Sequence, residues 1–178
     1  MLINQEKETC NTNLPENQFK KFGIEANQTA LKIWMDTLYS NKEKSIIREL
    51  LSNAKDSQQV AGTLDIPIEV HLPEKDLESW FSIRDFGTGL SEDEIYSIYS
   101  IFFKSTKNQT NDQIGGFGLG AKTPLSYTDQ FEVASFYNGI KSTYLVFKDA
   151  DGYPTITKLS SEETKEHNGL LVKFATDR

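Results

Sequence analysis

The segment Glu49-Leu-Leu-Ser-Asn53-Ala-Lys-Asp56 decides the fold, because it combines an apolar helical stripe with a row of polar side chains. Glu49, Asn53 and Asp56 are spaced i, i+4 and i+7, so on a helix they occupy an arc of roughly 60°. The adjoining stripe is apolar and consists of Ile46, Ile47, Leu50, Leu51 and Ala54. The spacing therefore predicts a helix that packs on a sheet while its polar shoulder lines a pocket.

The residue types on this shoulder suit the hydrolysis of a phosphate. A carboxylate such as that of Glu49 can orient and deprotonate an attacking water. Mg²⁺ prefers oxygen ligands and keeps several waters, so the neutral oxygen of Asn53 together with phosphate oxygens makes a reasonable site. A solvated helix face has the same composition and is the alternative interpretation.

A second motif, Asp85-Phe-Gly87-Thr-Gly89, follows a strand-like run at 80–84 that would end at Asp85. A buried carboxylate can accept a hydrogen bond from the amino group of adenine, which distinguishes adenine from guanine. Gly87 and Gly89 would let the backbone approach the base without a Cβ clash. An ordinary Asp/Gly turn is the alternative interpretation.

A third motif, Gly115-Gly116-Phe117-Gly118-Leu119-Gly120, places four glycines in six residues, just before a short helix predicted at 121–126. Exposed amides and a helix N-terminus favour phosphate, whereas the alternative is a flexible linker. The spacing excludes both a P-loop and a dinucleotide-binding fingerprint. Lys104 opens the polar loop before these glycines, which either closes over the phosphates as a lid or is simply solvated.

The rest of the chain predicts helices first and strands last. Helices are predicted over 27–39, over 43–60, and from Ser91 to about 102, where Ser91 and Glu94 form a capping box. Strands are predicted at 19–25, 64–72, 80–84, 131–137, 142–148, 155–159 and 170–174, with hairpin turns at Asn138-Gly139 and Asp151-Gly152. This order predicts an α+β fold, with helices on one face of a largely antiparallel sheet. Residues 1–18 are predicted to form an N-terminal arm, followed by one domain at 19–178.

Composition excludes several classes of protein. The formal net charge of −7 argues against broad nucleic-acid binding. Two His residues and one Cys exclude a Cys/His zinc site, and Cys10 alone cannot form an intrachain disulfide. Neither a signal peptide nor an apolar run of the roughly 20 residues that span a bilayer is visible, so we expect a cytoplasmic protein without a transmembrane segment.

In their order and spacing, the three motifs resemble those of the GHKL ATPase superfamily, named for gyrase, Hsp90, histidine kinases and MutL. The resemblance covers about residues 19–175 and implies a Bergerat fold, a two-layer α/β sandwich with a mixed, mostly antiparallel sheet. It also implies ATP as the ligand and Mg²⁺ as the cofactor. Glu49 would be the general base, Asn53 the magnesium ligand, Asp56 a pocket-wall residue that holds ordered water, and Asp85 the adenine reader. Residues 115–120 would clamp the phosphates.

One position departs from the family pattern. The last box of the family is usually Gly-Thr on a late strand, whereas here Gly169 is followed by Leu170. The hydroxyl that normally supports the adenine-binding Asp is therefore missing. We expect an ATP hydrolase or ATP-driven conformational switch; the alternatives are a nucleotide-binding scaffold without turnover, an Hsp90-like chaperone domain and a histidine kinase domain.

A narrower resemblance is to the rIIA rapid-lysis family of tailed bacteriophages. It rests on Glu6-Lys7-Glu8-Thr9, Leu38-Tyr39-Ser-Asn-Lys and Arg48-Glu49-Leu. It implies a role in lysis inhibition, an rIIB-like companion protein, and a location in the host cytoplasm, peripheral to the host membrane. Proteins of that family are longer, so we expect an N-terminal fragment. Many GHKL relatives form a nucleotide-dependent homodimer by exchanging an N-terminal arm, and residues 1–18 are the candidate arm.

Overall fold

Two α-helices and a 3-10 helix pack on a six-stranded sheet in the computed structural model, which describes residues 41–74, 77–100 and 120–176. The α-helices are α1 (Lys42–Ala61) and α2 (Glu92–Ser100), and the 3-10 helix is Gly120–Ser126. The strands are β1 (Glu69–His71), β2 (Trp80–Arg84), β3 (Gln130–Tyr137), β4 (Ile140–Lys148), β5 (Pro154–Glu163) and β6 (Gly169–Ala175). The predicted arm at 1–18, strand at 19–25 and helix at 27–39 lie outside the described residues.

The sheet has the strand order β1-β2-β6-β3-β4-β5, and these neighbours pair antiparallel. The last strand, β6, is inserted between β2 and β3, so the end of the described chain occupies the middle of the sheet. This insertion places Gly169 at the start of β6 beside Asp85, which follows β2. The predicted α+β fold is confirmed.

One apolar core lies between the sheet and the helices. Phe81 and Ile83 alternate along β2 toward this core, and they pair across the sheet with Phe174 and Val172 of β6. The helical side of the same core consists of Ile46, Leu50, Ala54, Ile95, Tyr99 and Leu125. The helices therefore cover a single face of the sheet, as the two-layer prediction requires.

The ends of the helices follow their sequence signals. The Oδ1 atom of Asn41 accepts a hydrogen bond from the amide of Lys44 at 3.0 Å, and Gly62 ends α1 in the left-handed conformation. In the predicted capping box, the carboxylate of Glu94 accepts from the amide of Ser91 at 2.8 Å. The predictions of a helix at 43–60 and of a cap at Ser91 are confirmed.

The predicted strand at 64–72 is wrong over most of its length, because only Glu69–His71 pairs with β2. The buried amide of Gln58 donates to the carbonyl oxygens of Thr63 and Ile66, at 2.7 and 2.6 Å. These bonds fold the chain into turns after α1, and Pro67 cannot donate to a ladder. A helical glutamine that organises the loop after its helix leaves no periodic signal in the sequence.

The β-meander is confirmed, and its strands are longer than predicted, β5 by the most. Asn138 and Gly139 both have positive φ angles, 51° and 77°, as a tight hairpin turn between β3 and β4 requires. In the next hairpin the amide of Asp149 donates to the carbonyl of Tyr153 at 2.9 Å, around the predicted Asp151-Gly152 turn. β5 extends to Glu163, beyond the predicted limit of 159, because an edge strand needs no apolar alternation in its exposed part.

Candidate functional site

The start of the 3-10 helix lies against the polar shoulder of α1. A Cβ atom placed on Gly120 would lie 2.8 Å from Glu49 Oε2 and 3.5 Å from Asn53 Nδ2. Glu49 is largely covered, with its side chain 16% exposed, and its Oε1 atom accepts a hydrogen bond from Arg48 at 3.1 Å. The structure therefore brings the first motif and the end of the third motif together at one place.

The polar shoulder of α1 is not a solvated helix face. Asp56 is only 7% exposed, and Ala54 and Gln58 beside it in sequence are buried. A carboxylate is seldom buried without a partner or a function. The solvated-face alternative is therefore wrong for Asp56, whereas its predicted role in holding ordered water stays a prediction.

Asp85 is buried at the end of β2, where the second motif begins. Its Oδ1 atom accepts a hydrogen bond from the amide of Gly87 at 2.9 Å, and its own amide donates to the carbonyl of Leu170 at 2.9 Å. Burial raises the pKa of Asp85 to about 6. Four weaker effects lower this pKa because they favour the carboxylate, namely the amides of Gly87 and Leu170, the charge of Arg84 and the hydroxyl of Ser57. A buried carboxyl group with a raised pKa beside a glycine turn is typical of a functional site.

The two glycines of the second motif have packing reasons within the protein. A Cβ atom on Gly87 would lie 1.9 Å from Ser57 Oγ on α1, and one on Gly89 would lie 2.1 Å from the carbonyl oxygen of Phe136. Gly89 also has a positive φ angle of 66°. The turn is therefore pressed between α1 and β3, and the predicted contact of these glycines with adenine stays a prediction.

Arg84 connects this turn to the loop before the neighbouring strand β6. Its buried guanidinium group lies over the rings of Phe86 and Phe136, with its central carbon 4.8 and 3.8 Å from their centroids. It donates hydrogen bonds to the carbonyl oxygens of Asp85 and His167, the latter at 2.6 Å. Arg84 thus fixes the backbone at Asp85 to the loop before β6.

Sequence reasoning missed three residues of this region, namely Ser57, Arg84 and Lys122. Ser57 continues the i, i+4 row of Glu49 and Asn53, and this spacing could have identified it. Lys122 lies two residues after Gly120, and this closeness to the glycine motif could have identified it. It is 4% exposed, and burial lowers the pKa of its ammonium group to about 8.

The donor set on α1 fits Mg²⁺ better than a metal that needs several protein ligands. Across residues 41–74, 77–100 and 120–176, no three His, Cys, Asp or Glu side chains form a group that could hold a metal ion. Mg²⁺ usually takes one or two protein oxygens and completes its shell with phosphates and water, which suits Asn53 alone. The remaining predicted ligands, Lys104 and residues 115–119, lie outside the described residues.

The fold and this site define the class of the protein as a two-layer α/β domain in which a buried Asp-Gly turn packs on a helix that bears Glu49 and Asn53. The chain belongs to the family of histidine kinase-, DNA gyrase B- and HSP90-like ATPases, whose sequence profile matches residues 39–172. The match spans α1, where Glu49 and Asn53 lie, and reaches into β6. The predicted membership of the GHKL superfamily is confirmed.

Individual relatives include chaperones. The chain is 29% identical to an endoplasmin homolog from Hordeum vulgare, over 85% of the chain and 21% of that protein. It is 30% identical to chaperone protein HtpG from Campylobacter jejuni, over 86% of the chain, and 27% identical to HtpG from Sulfurimonas denitrificans, over 88%. Both HtpG alignments cover 28% of the relative, so the chain spans about a quarter of the length of these proteins.

Of the helices that the structure describes, none is both long and apolar enough to cross a membrane.

Proposed function

We propose that this domain binds ATP with Mg²⁺ and hydrolyses the γ-phosphate, so that nucleotide turnover drives a conformational or dimerisation switch. The observation that carries the proposal is the convergence of Glu49 and Asn53 on Gly120, where the missing Cβ leaves room beside the carboxylate. The glycine motif leads directly into this point. Membership of an ATPase family supports the same chemistry.

Each end of the nucleotide has its own group of residues. Asp85 accepts a hydrogen bond from the amino group of adenine, which its buried position at the turn makes selective. Asn53 would hold Mg²⁺, which neutralises charge on the phosphates when it is bound. Glu49 orients the attacking water and takes its proton, since one carboxylate oxygen faces Gly120 while the other accepts from Arg48. Lys104 and residues 115–119 would enclose the phosphates.

The test separates binding from turnover. Glu49→Ala should keep ATP affinity and reduce phosphate release about 100-fold or more, because a general base contributes that much and acts on water rather than on adenine. Asp85→Ala should abolish binding itself. Glu43→Ala is the matched control, since Glu43 lies on the same helix and is exposed in its first turn. Calorimetry with ATP and phosphate release on the 178-residue chain give both quantities.

Three outcomes decide the proposal. If the wild-type chain binds no adenine nucleotide, the proposed function is wrong. If it binds ATP but releases no more phosphate than Glu49→Ala, the domain is a nucleotide-binding scaffold without turnover. If Glu49→Ala hydrolyses ATP at the wild-type rate, another residue is the base.

A second candidate function is an Hsp90-like chaperone domain. The relatives named HtpG favour it, because three of them align with 85–88% of the chain at 27–30% identity. The chain spans only about a quarter of the length of those proteins. The binding of unfolded proteins by this chain is therefore itself proposed. An ATP-dependent delay in the aggregation of a heat-denatured test protein would support it, and an equal delay with Asp85→Ala would exclude an ATP-driven chaperone.

The resemblance to phage rapid-lysis proteins gives the proposal a cellular setting. In that setting the domain acts as a switch in the infected host, with an rIIB-like companion, in the cytoplasm and peripheral to the host membrane. Of the segments that carry the resemblance, only 41–42 and Arg48-Glu49-Leu50 lie within the described residues. Co-purification of the tagged chain with phage proteins from infected cells would test this setting.

A further inference from the structure

Ser57 makes an unusual set of contacts for a serine inside a helix. A serine in a helix interior normally points to solvent or bonds to the carbonyl four residues earlier. The Oγ atom of Ser57 instead accepts a hydrogen bond from the amide of Thr88 at 3.2 Å, across 31 residues of sequence. The hydroxyl therefore points from α1 into the turn of the second motif.

The same hydroxyl also lies close to the carboxylate at the start of that turn. A hydroxyl has one hydrogen to donate and two lone pairs to accept with. Ser57 accepts from Thr88, which leaves its hydrogen for the nearby carboxylate of Asp85, whose pKa the hydroxyl lowers. Gly87 packs so closely over Ser57 that any Cβ atom on it would lie 1.9 Å from Oγ. The hydroxyl thus lies against Gly87 and Thr88, beside the carboxylate that accepts from the amide of Gly87.

The opposite side of Asp85 is formed by Leu170 on β6. The amide of Asp85 donates to the carbonyl of Leu170 at 2.9 Å, which extends the Arg84–Leu171 register by one residue and places the two side chains on the same face of the sheet. Leu170 supports the carboxylate only through its backbone amide, since its side chain is apolar. The side-chain hydroxyl available to Asp85 therefore lies on α1, at Ser57, and not at position 170 of β6.

We propose that Ser57 is a positioning residue for Asp85: its hydroxyl, in place of one on the late strand, holds the carboxylate in the orientation that receives the amino group of adenine. This inference rests on the proposed function. It explains how the chain tolerates leucine at position 170, where the resemblance leads one to expect threonine. It also assigns a role to a residue that lies one helical turn beyond Asn53.

The first test compares Ser57→Ala with Ser52→Ala. Both changes replace serine by alanine within α1, so their effects on helix propensity are matched. Ser57→Ala should weaken ATP binding about tenfold, which is the effect of losing one hydrogen bond to a charged group. Ser52→Ala should bind like the wild type. Equal affinities for Ser57→Ala and Ser52→Ala would overturn the proposal, provided that thermal unfolding shows both variants to be folded.

A second measurement does not need nucleotide. The carboxyl group of Asp85 can be titrated by carbon NMR in the free protein. Ser57→Ala should raise its pKa above the wild-type value, because one hydrogen bond to the charged form is lost while Arg84 from β2 and Tyr99 from α2 still act on it. An unchanged pKa would show that the hydroxyl does not hold the carboxylate. If the pKa rises and the wild type binds no nucleotide, the proposed function fails while the contact stands.

Rescue from the other side of the site gives the sharpest readout. In the double variant Ser57→Ala/Leu170→Thr, a hydroxyl returns on the strand that pairs with Asp85. Both the ATP affinity and the pKa of Asp85 should return toward wild-type values, although the loss of a partly buried leucine lowers stability. A merely structural role for Ser57 would not be rescued in this way. If the double variant has the ATP affinity and the Asp85 pKa of Ser57→Ala, a hydroxyl at position 170 cannot replace that of Ser57, and the proposal is wrong.

Discussion

At the residue scale, the burial of Asp85 has a cost in stability. The carboxyl group is 5% exposed, and the amides of Gly87 and Leu170 offset only part of the loss of water. Its net effect is a raised pKa, which means that the fold favours the protonated form. The amino group of a nucleotide would bind the charged carboxylate of Asp85. This charged form is therefore the one that burial destabilises in the free protein.

This conflict predicts a pH dependence of stability. Asp85 has a pKa of about 6 in the folded protein against an ordinary value of 3.8, so the unfolded chain loses this proton first as the pH rises. Its contribution is present below about pH 4 and is lost as the pH rises through 6. The free energy of unfolding of the wild type relative to Asp85→Asn should fall by about 2–3 kcal/mol between pH 4 and pH 7.

Urea unfolding at several pH values measures this difference. Asp129→Asn is the control, because Asp129 is exposed and Lys148, at 2.8 Å, lowers its pKa instead. The difference between the wild type and Asp129→Asn should not fall over the same range. A flat difference between the wild type and Asp85→Asn would mean that the Asp85 carboxylate is charged at no cost.

At the scale of elements, the site depends on how the 3-10 helix meets α1. The hydroxyl of Thr123 donates to the carbonyl of Gly120 at 2.8 Å, and that of Ser126 donates to the carbonyl of Thr123 at 2.7 Å. Pro124 and Leu125 bury the far side of this short helix in the core. These hydrogen bonds and this burial hold Gly120 against Glu49.

Gly120→Ala tests this junction. The new Cβ atom would lie 2.8 Å from Glu49 Oε2, so the flexible carboxylate must move away from its place. We expect ATP affinity to change little and phosphate release to fall about tenfold or more, since small displacements of a catalytic group are costly. Steady-state kinetics with calorimetry separate the two effects. Unchanged turnover in a folded variant would mean that the position of Glu49 beside Gly120 has no catalytic importance.

For the whole molecule, sequence patterns identified regular elements better than the contacts between them. Apolar periodicity predicted α1 and the strands of the meander, and the polar row on α1 predicted Glu49 and Asn53, because such patterns repeat locally. The turns held by Gln58 and the clamp formed by Arg84 depend on partners as far as 83 residues away in sequence. Such contacts have no period, and only the folded chain shows them.

A substitution at Arg84 measures how much such long-range contacts contribute to the stability of the whole domain. Its planar guanidinium lies over two rings and donates to two carbonyl oxygens, a geometry that lysine cannot reproduce. Arg84→Lys should therefore lower the free energy of unfolding by about 1–3 kcal/mol, and it should weaken ATP binding because the backbone at Asp85 loses its anchor. The matched control is Lys173→Ala, which removes a partly exposed cation 4.4 Å from the ring of Trp80 and should cost less than about 1 kcal/mol. Denaturant unfolding and calorimetry on both variants test the difference. Equal losses in the free energy of unfolding would show that the buried contacts of Arg84 contribute no more to stability than the partly exposed contact of Lys173.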